Sequence, residues 1–336
     1  MTAPFALDAL QIITFGRSSV DFYPLQHHVT LSDVDTFRKS IGGSPTNVAV
    51  AAARLGRRAA LINRVGNDPF GQYIRDGLSR FGVHTAFITT DPELLTPVVF
   101  CELLPPSDPS IYFYRRPQGP EMRISVDDLP MAAIRSVPLF WGTGSALSEE
   151  PARSAVMEAL RSRPRSAHTV LDLDYRPSFW PSPEAATEFI GPAVDLCSVV
   201  VGNREECERV VGTRVPDEAA DRLLERGVAL AIVKLGAEGV LVATPQARSV
   251  IAPIPVPVVC GLGAGDAFGG SLCDGLLSGW DPVHTVTRAN AAGAIVAGRL
   301  MCSDDMPTAA EIDSLLATGI VPERVALSHD SEPDHD

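Results

Sequence analysis

The sequence predicts an α/β protein, with a mostly parallel central sheet covered by helices on both faces and a small lid of extra strands. Three observations carry that reading. Short apolar, β-branched runs alternate with segments of helical character along most of the chain. Two stretches, about 17–41 and 96–116, break the alternation with strands that have no helix between them. Glycine-rich junctions stand where strands give way to helices, and in such sheets ligands bind outside the carboxyl ends of the strands.

In chain order, residues 10–15 form a short apolar run ending at Gly16, the first buried strand. Residues 22–41 alternate weakly and read as exposed strands or a flap. Gly42-Gly43-Ser44-Pro45-Thr46-Asn47 opens an alanine-rich helix, with Ser44 suited to the N-cap, Pro45 to the first turn and Gly56 to the C-terminal stop. A strand at 59–63, a helix at 68–81 and a strand at 85–89 follow. Segments 96–104 and 111–115 read as a hairpin about Pro105-Pro106-Ser107-Asp108-Pro109. Strand 139–143, helix 149–161 and strand 169–173 lead into Asp174-Tyr175-Arg176-Pro177. Helix 184–190, strand 197–201, helices 205–211 and 219–226 and strand 230–235 come next. Gly236-Ala237-Glu238-Gly239 then turns into a strand at 240–244. Pro253, Pro255 and Pro257 recur with period two, so the N–H groups they lack would all face one edge, as in a sheet-edge strand. Helices at 266–277, 283–299 and 309–316 close the fold, which is read as one domain over 1–320. A polar tail follows from 321, acidic over 330–336 and expected to be disordered.

Composition narrows the function. A chain of 336 residues, 45% hydrophobic, has ample material for a core. Its net charge of -13 argues against nucleic acid or an anionic membrane as partner, and an anionic substrate would need local cations. Six cysteines without a C-x-x-C pair read as buried thiols in a reducing compartment. No secretory leader is visible at the N-terminus, and the uncharged run 249–265 is broken by prolines, so the expected location is the cytoplasm.

The chemistry concentrates at Gly261-Leu262-Gly263-Ala264-Gly265-Asp266. Alternating glycines at a helix start leave backbone N–H groups open, and the helix dipole adds positive potential, which suits an anion. Asp266 places a carboxylate beside that anion, which makes sense if it takes a proton from an attacking nucleophile. The blander alternative is a glycine turn with an acidic first-turn residue stabilising its helix. No G-x-x-x-x-G-K-[ST] occurs, the only lysines are Lys39 and Lys234, and a dinucleotide fingerprint would need different spacing. Gly42-Gly43 offers a second set of open donors.

Taken together, these motifs resemble the ribokinase-like (PfkB) family of carbohydrate kinases over residues about 10–318. The resemblance rests on Gly42-Gly43-Ser44-Pro45-Thr46-Asn47 and Gly263-Ala264-Gly265-Asp266-Ala267-Phe268. Between and after them come Asn203-Arg204-Glu205-Glu206, Lys234-Leu235-Gly236-Ala237-Glu238-Gly239 and Asn290-Ala291-Ala292-Gly293. It implies ATP and Mg²⁺, with Asp266 as base and Gly263, Ala264 and Gly265 holding the transferring phosphoryl. A base at a helix N-terminus would be expected to have a low pKa. Asp21, Gly42, Gly43 and Asn47 are the implied sugar contacts, and Lys234, Gly236, Gly239, Asn203 and Asn290 the implied nucleotide contacts. Asn203 and Glu206, one helical turn apart, could reach Mg²⁺ through its waters or simply form a capping box. Gly16-Arg17-Ser18-Ser19-Val20-Asp21 and Asp172-Leu173-Asp174-Tyr175-Arg176-Pro177 resemble the family's kinases of 5-dehydro-2-deoxy-D-gluconate, a sugar acid of myo-inositol breakdown. The alternatives are another sugar kinase of the family or a non-catalytic sugar- or nucleotide-binding regulator. A substrate carboxylate would meet Arg176 first, then Arg17 or Arg116. Exposed aromatics at Phe22, Tyr23, Tyr112 and Phe113 suggest a homodimer through the lid.

Overall fold

A computed structural model describes residues 5–26, 28–104, 109–163 and 168–324. The expected turn falls largely on residues 105–108, and the acidic tail on 325–336, both outside the described residues. The N-terminal part comprises β1 (Ile12–Phe15), β2 (Ser19–Pro24), β3 (Phe37–Gly42), α1 (Ser44–Arg54), β4 (Ala59–Gly66), α2 (Pro69–Arg80), β5 (Ile88–Asp91), β6 (Val98–Glu102) and β7 (Ser110–Tyr114). Next come α3 (Met131–Ser136), β8 (Leu139–Thr143), α4 (Ala152–Arg161), β9 (His168–Asp172), α5 (Pro183–Val194), β10 (Val199–Asn203), α6 (Arg204–Val211) and α7 (Pro216–Glu225). The C-terminal part adds β11 (Leu230–Lys234), β12 (Val240–Ala243), β13 (Arg248–Ile251), α8 (Ala264–Ser278), α9 (Pro282–Ala297) and α10 (Ala309–Thr318).

The apolar runs become a nine-stranded sheet in the order β13-β12-β11-β10-β9-β8-β1-β4-β5. It is parallel from β11 through β5, and at the edge β12 alone is reversed, pairing antiparallel with both β11 and β13. Successive residues point to opposite faces, so Ile12 packs under the helices α1, α2, α8, α9 and α10, and Ile13 under α4 to α7. Burial on both faces is what uninterrupted apolar strands require. The expected lid is a separate four-stranded sheet, β3-β2-β6-β7, in which β2 and β6 run parallel and the outer pairs antiparallel.

Four local expectations are corrected. Ser44 does not cap α1: Gly43 is the N-cap, at φ 99°, because β3 runs directly into the helix and only a glycine turns the chain there. The prolines do not sit in an edge strand. β13 ends at Ile251 before Pro253, and alternate residues without N–H cannot continue a ladder. Tyr23 is fully buried, its hydroxyl donating to Cys302 Sγ at 2.9 Å, so it is no part of an exposed surface. Val321 packs against the core and Arg299 donates to the Pro322 carbonyl, so the start of the polar tail is anchored.

Candidate active site

Small residues position the site. Helices α1 and α8 pack at backbone distance, since a Cβ on Gly270 would overlap that of Ala51 and stand 2.8 Å from the Ala52 nitrogen, while Gly269 leaves room for the Trp141 ring of β8. Their N-termini therefore lie side by side. Across that junction Asn47 Nδ2 donates to Asp266 Oδ2 at 2.8 Å, and Ser303 Oγ donates to Asn47 Oδ1 at 2.7 Å. Asn47, expected as a sugar contact, thus has both amide ends engaged with protein as well as lining the cleft.

Two clefts open from this junction. One is lined by Arg17, Asp21, Gly43, Asn47, Arg176 and Asp266, with Ser19, Cys101 and Cys302 from the lid side and beneath. The other is lined by Lys234, Gly236, Gly239, Ala264, Gly265 and Asn290. Gly42 lines neither, yet it is needed, because a Cβ there would fall on the Asp21 carboxylate. Gly263 takes φ 82° as the N-cap of α8, and a Cβ would sit 2.8 Å from Cys302 Sγ. Gly239 is set by a close approach to the Ile251 carbonyl, and Asn290 Nδ2 donates to the Ala252 carbonyl at 2.9 Å, tying the proline-rich wall to α9. The lysine ammonium approaches the same helix end, with Nζ 3.6 Å from where a Gly265 Cβ would stand.

Electrostatics overturn one expectation. Burial pushes the Asp266 carboxyl up to about 6, against donation from Asn47 and Ser44, with the charges of Asp174 and Asp172 adding to the rise. The helix terminus does not hold it low. Although Asp266 borders the cleft, the packing around it removes enough water for desolvation to outweigh the helix's partial charge. Asp21, which accepts from Ser19 Oγ at 2.6 Å, is likewise raised to about 6 by burial. Asp172 also rises to about 6, chiefly through burial.

Asp174 behaves oppositely. Although burial opposes it, Arg17 and Arg176 hold its carboxyl well below the usual range. Arg17 Nη1 lies 2.6 Å from Asp174 Oδ2, Ser145 Oγ donates to the same oxygen at 2.6 Å, and Arg176 Nε reaches Oδ1 at 3.0 Å. Arg17 is thereby consumed within the protein, whereas the Arg176 side chain stays 43% exposed. Arg116 lines only outer pockets beside Pro117 and Gln118, away from Asp266.

Asn203 and Glu206 form a reciprocal capping box: Asn203 Oδ1 accepts from the Glu206 N–H at 2.9 Å, and Glu206 Oε2 from the Asn203 N–H at 2.7 Å. Asn203 is exposed and lines neither cleft, while Glu206 is buried. Among the described residues, no group of three or more His, Cys, Asp or Glu could hold a metal ion. Sequence reasoning passed over Asp172, Asp174, Ser145 and Ser303. The paired carboxylates at the end of β9 were a visible signal; Ser145 and Ser303 gave none.

A carboxylate in the first turn of a glycine-opened helix, reached from two clefts that meet there, suits a phosphotransferase with an alcohol group as acceptor. Known proteins agree. The pattern of the pfkB family of carbohydrate kinases matches residues 9–309, and the chain belongs to that family. It is similar to a 5-dehydro-2-deoxygluconokinase of Geobacillus kaustophilus (strain HTA426), 32% identical over 314 residues, covering 91% of this chain and 93% of that one. A fructokinase from Vibrio cholerae O395, solved with fructose, ADP and calcium ion, is 28% identical with a TM-score of 0.81, over 92% of this chain and 99% of the other. A sugar kinase from Pyrococcus horikoshii in complex with ATP is 26% identical with a TM-score of 0.75, over 91% and 97%.

Proposed function

We propose that this kinase transfers the γ-phosphoryl group of ATP to the terminal hydroxyl of 5-dehydro-2-deoxy-D-gluconate, a step of myo-inositol catabolism. The observation that carries the choice of an acid is Arg176, which lines the cleft that holds Asp266 and whose side chain stays 43% exposed beside its contact with Asp174. The similarity to 5-dehydro-2-deoxygluconokinases over nine-tenths of the chain supports the same substrate.

In this reading Asp21 accepts sugar hydroxyls, Arg176 meets the carboxylate, and Arg17 and Asp174 hold Arg176 in place. Asp266 takes the hydroxyl proton while the N–H groups of Gly263, Ala264 and Gly265 bind the phosphoryl oxygens. With a pKa near 6, Asp266 is ionised at neutral pH yet basic enough to accept a proton as the bond forms. The nucleotide lies in the cleft of Gly236, Gly239 and Asn290.

The residues suit Mg²⁺, which keeps most of its waters and takes few protein ligands. Glu206, with Asn203 capping beside it, and Asp172 would hold it through those waters, and bound Mg²⁺ would neutralise charge on the phosphates. Six buried free thiols support a cytoplasmic setting, and among the described residues no helix is long and apolar enough to cross a membrane. We also propose a homodimer through the lid. There Phe22, Phe37 and Phe100 pack ring on ring, and Tyr114 and Leu95 remain 61% and 75% exposed. A monomer in sedimentation at micromolar concentration, with full activity, would exclude it.

The test of substrate is a kinase assay over sugars and sugar acids. The acid should be used at least about tenfold better in kcat/KM than fructose or ribose, since a charge-assisted contact contributes about 1.5–3 kcal/mol. Arg176→Met should erase that preference, mainly through KM for the acid. An intact enzyme that prefers fructose or ribose would overturn the sugar-acid reading and leave a sugar kinase.

A further inference from the structure

Lys234 ends β11, where its register partner on β10 is Asn203. Its ammonium lies against the first turn of α8, 3.6 Å from where a Gly265 Cβ would stand. Gly265 lines the nucleotide cleft and the next residue, Asp266, lines the sugar cleft. The charge therefore stands at the point where the two clefts meet. Its surroundings are acidic: Asp172, Glu206 and Asp266 all attract it, and only Arg176 opposes it. Against desolvation, those carboxylates keep it protonated. Among the described residues it nevertheless donates no hydrogen bond and makes no ion pair.

Lys234 is half-buried and lines the cleft, so its ammonium has donors left for a group that enters from outside the chain. Here the missing partner is an anion at the N-terminus of α8. A nucleotide lying along Gly236 and Asn290 would bring its terminal phosphate, not its base or ribose, to this end of the cleft.

Resting on the kinase reading above, we infer that Lys234 is a catalytic residue that binds the transferring phosphoryl group during its passage between the two clefts. The sugar hydroxyl oxygen forms a bond to the γ-phosphorus as the bond to the β–γ bridging oxygen breaks, leaving ADP. The hydroxyl proton passes to Asp266. Lys234 keeps its protons and forms no covalent bond, and its charge follows the phosphoryl oxygens as they move. Because it sits on the line of transfer, it favours the transition state over bound ATP.

The experiment compares the wild type with Lys234→Met, Lys234→Gln and Lys234→Arg, using whichever sugar the wild-type enzyme prefers. Failure of the sugar-acid reading therefore leaves this test intact. Lys234→Met should lower kcat by about 10²–10³, the cost of losing one preorganised donor to developing charge. KM for the sugar and the dissociation constant for ADP should stay within about threefold, while Lys234→Arg regains at least about tenfold in kcat. A readout apart from turnover is affinity for ADP with aluminium fluoride and sugar, which mimics the transferring group. Lys234→Met should lose most of the gain over ADP alone. Should Lys234→Met fail to fold, Lys234→Gln carries the same comparison. Equal losses for ADP and for ADP with aluminium fluoride, or a fall in kcat of less than about tenfold, would overturn the inference and leave Lys234 a ground-state nucleotide contact.

Discussion

Asn47→Leu separates two things the residue could do, positioning the base or holding the sugar. Its amide donates to Asp266 at 2.8 Å, and Ser44 supplies a second donor that the substitution leaves in place. A hydrogen bond to a charged acceptor contributes about 1.5–3 kcal/mol, and each pKa unit corresponds to about 1.4 kcal/mol. Because Asp266 faces an open cleft, the low end applies, a rise of about one unit from its value near 6. The sign follows: Asp266 must be ionised to accept a proton, so the acid limb of the pH–rate profile moves up, from near 6 to about 7. At pH 5.5 the ionised fraction falls from about a quarter to about 3%, roughly an eightfold loss, whereas at pH 8.5 it stays near one in both proteins. The assay is kcat/KM from pH 5 to 9 with coupled detection of ADP. Equal losses at both ends of that range would refute the argument. A raised sugar KM with an unmoved limb would do so too, showing that Asn47 serves the sugar and not the base.

Gly270→Val should destabilise the protein by about 1–3 kcal/mol in urea unfolding, because its Cβ would meet Ala51 across the α1–α8 contact. It should also lower kcat by shifting Asn47 away from Asp266. Arg17→Met should cost about 3 kcal/mol or more, since it leaves much of the Asp174 charge buried without its main partner, their side chains being 9% and 2% exposed. Arg176→Met, at a more exposed site, should cost under about 1 kcal/mol by the same unfolding measurement.

The parallel sheet was readable because a strand covered on both faces must be apolar along its whole length. Runs such as Ile12–Phe15 and Leu139–Thr143 therefore announce themselves with little ambiguity. The glycine junctions were equally legible. Gly43 and Gly263 need a positive φ that other residues take only under strain, and Asp266 is an odd choice beside an anion nest unless it reacts. What misled was local chemistry read without its neighbours. Ser44 has the composition of an N-cap, but β3 arrives from a direction that makes Gly43 the cap. Tyr23 sits in a strand that reads as exposed, but the lid folds it down onto Cys302.

The sequence by itself therefore determined the layers of the fold, the glycine-opened helix starts and the residue types around them, because these follow from periodicity and backbone freedom along the chain. Only the tertiary structure decided which arginine remains open to the cleft and that Asp266 titrates near 6. Both depend on groups far apart in sequence, Arg17 against Asp174 and Asn47 against Asp266, and on how much water folding removes from them.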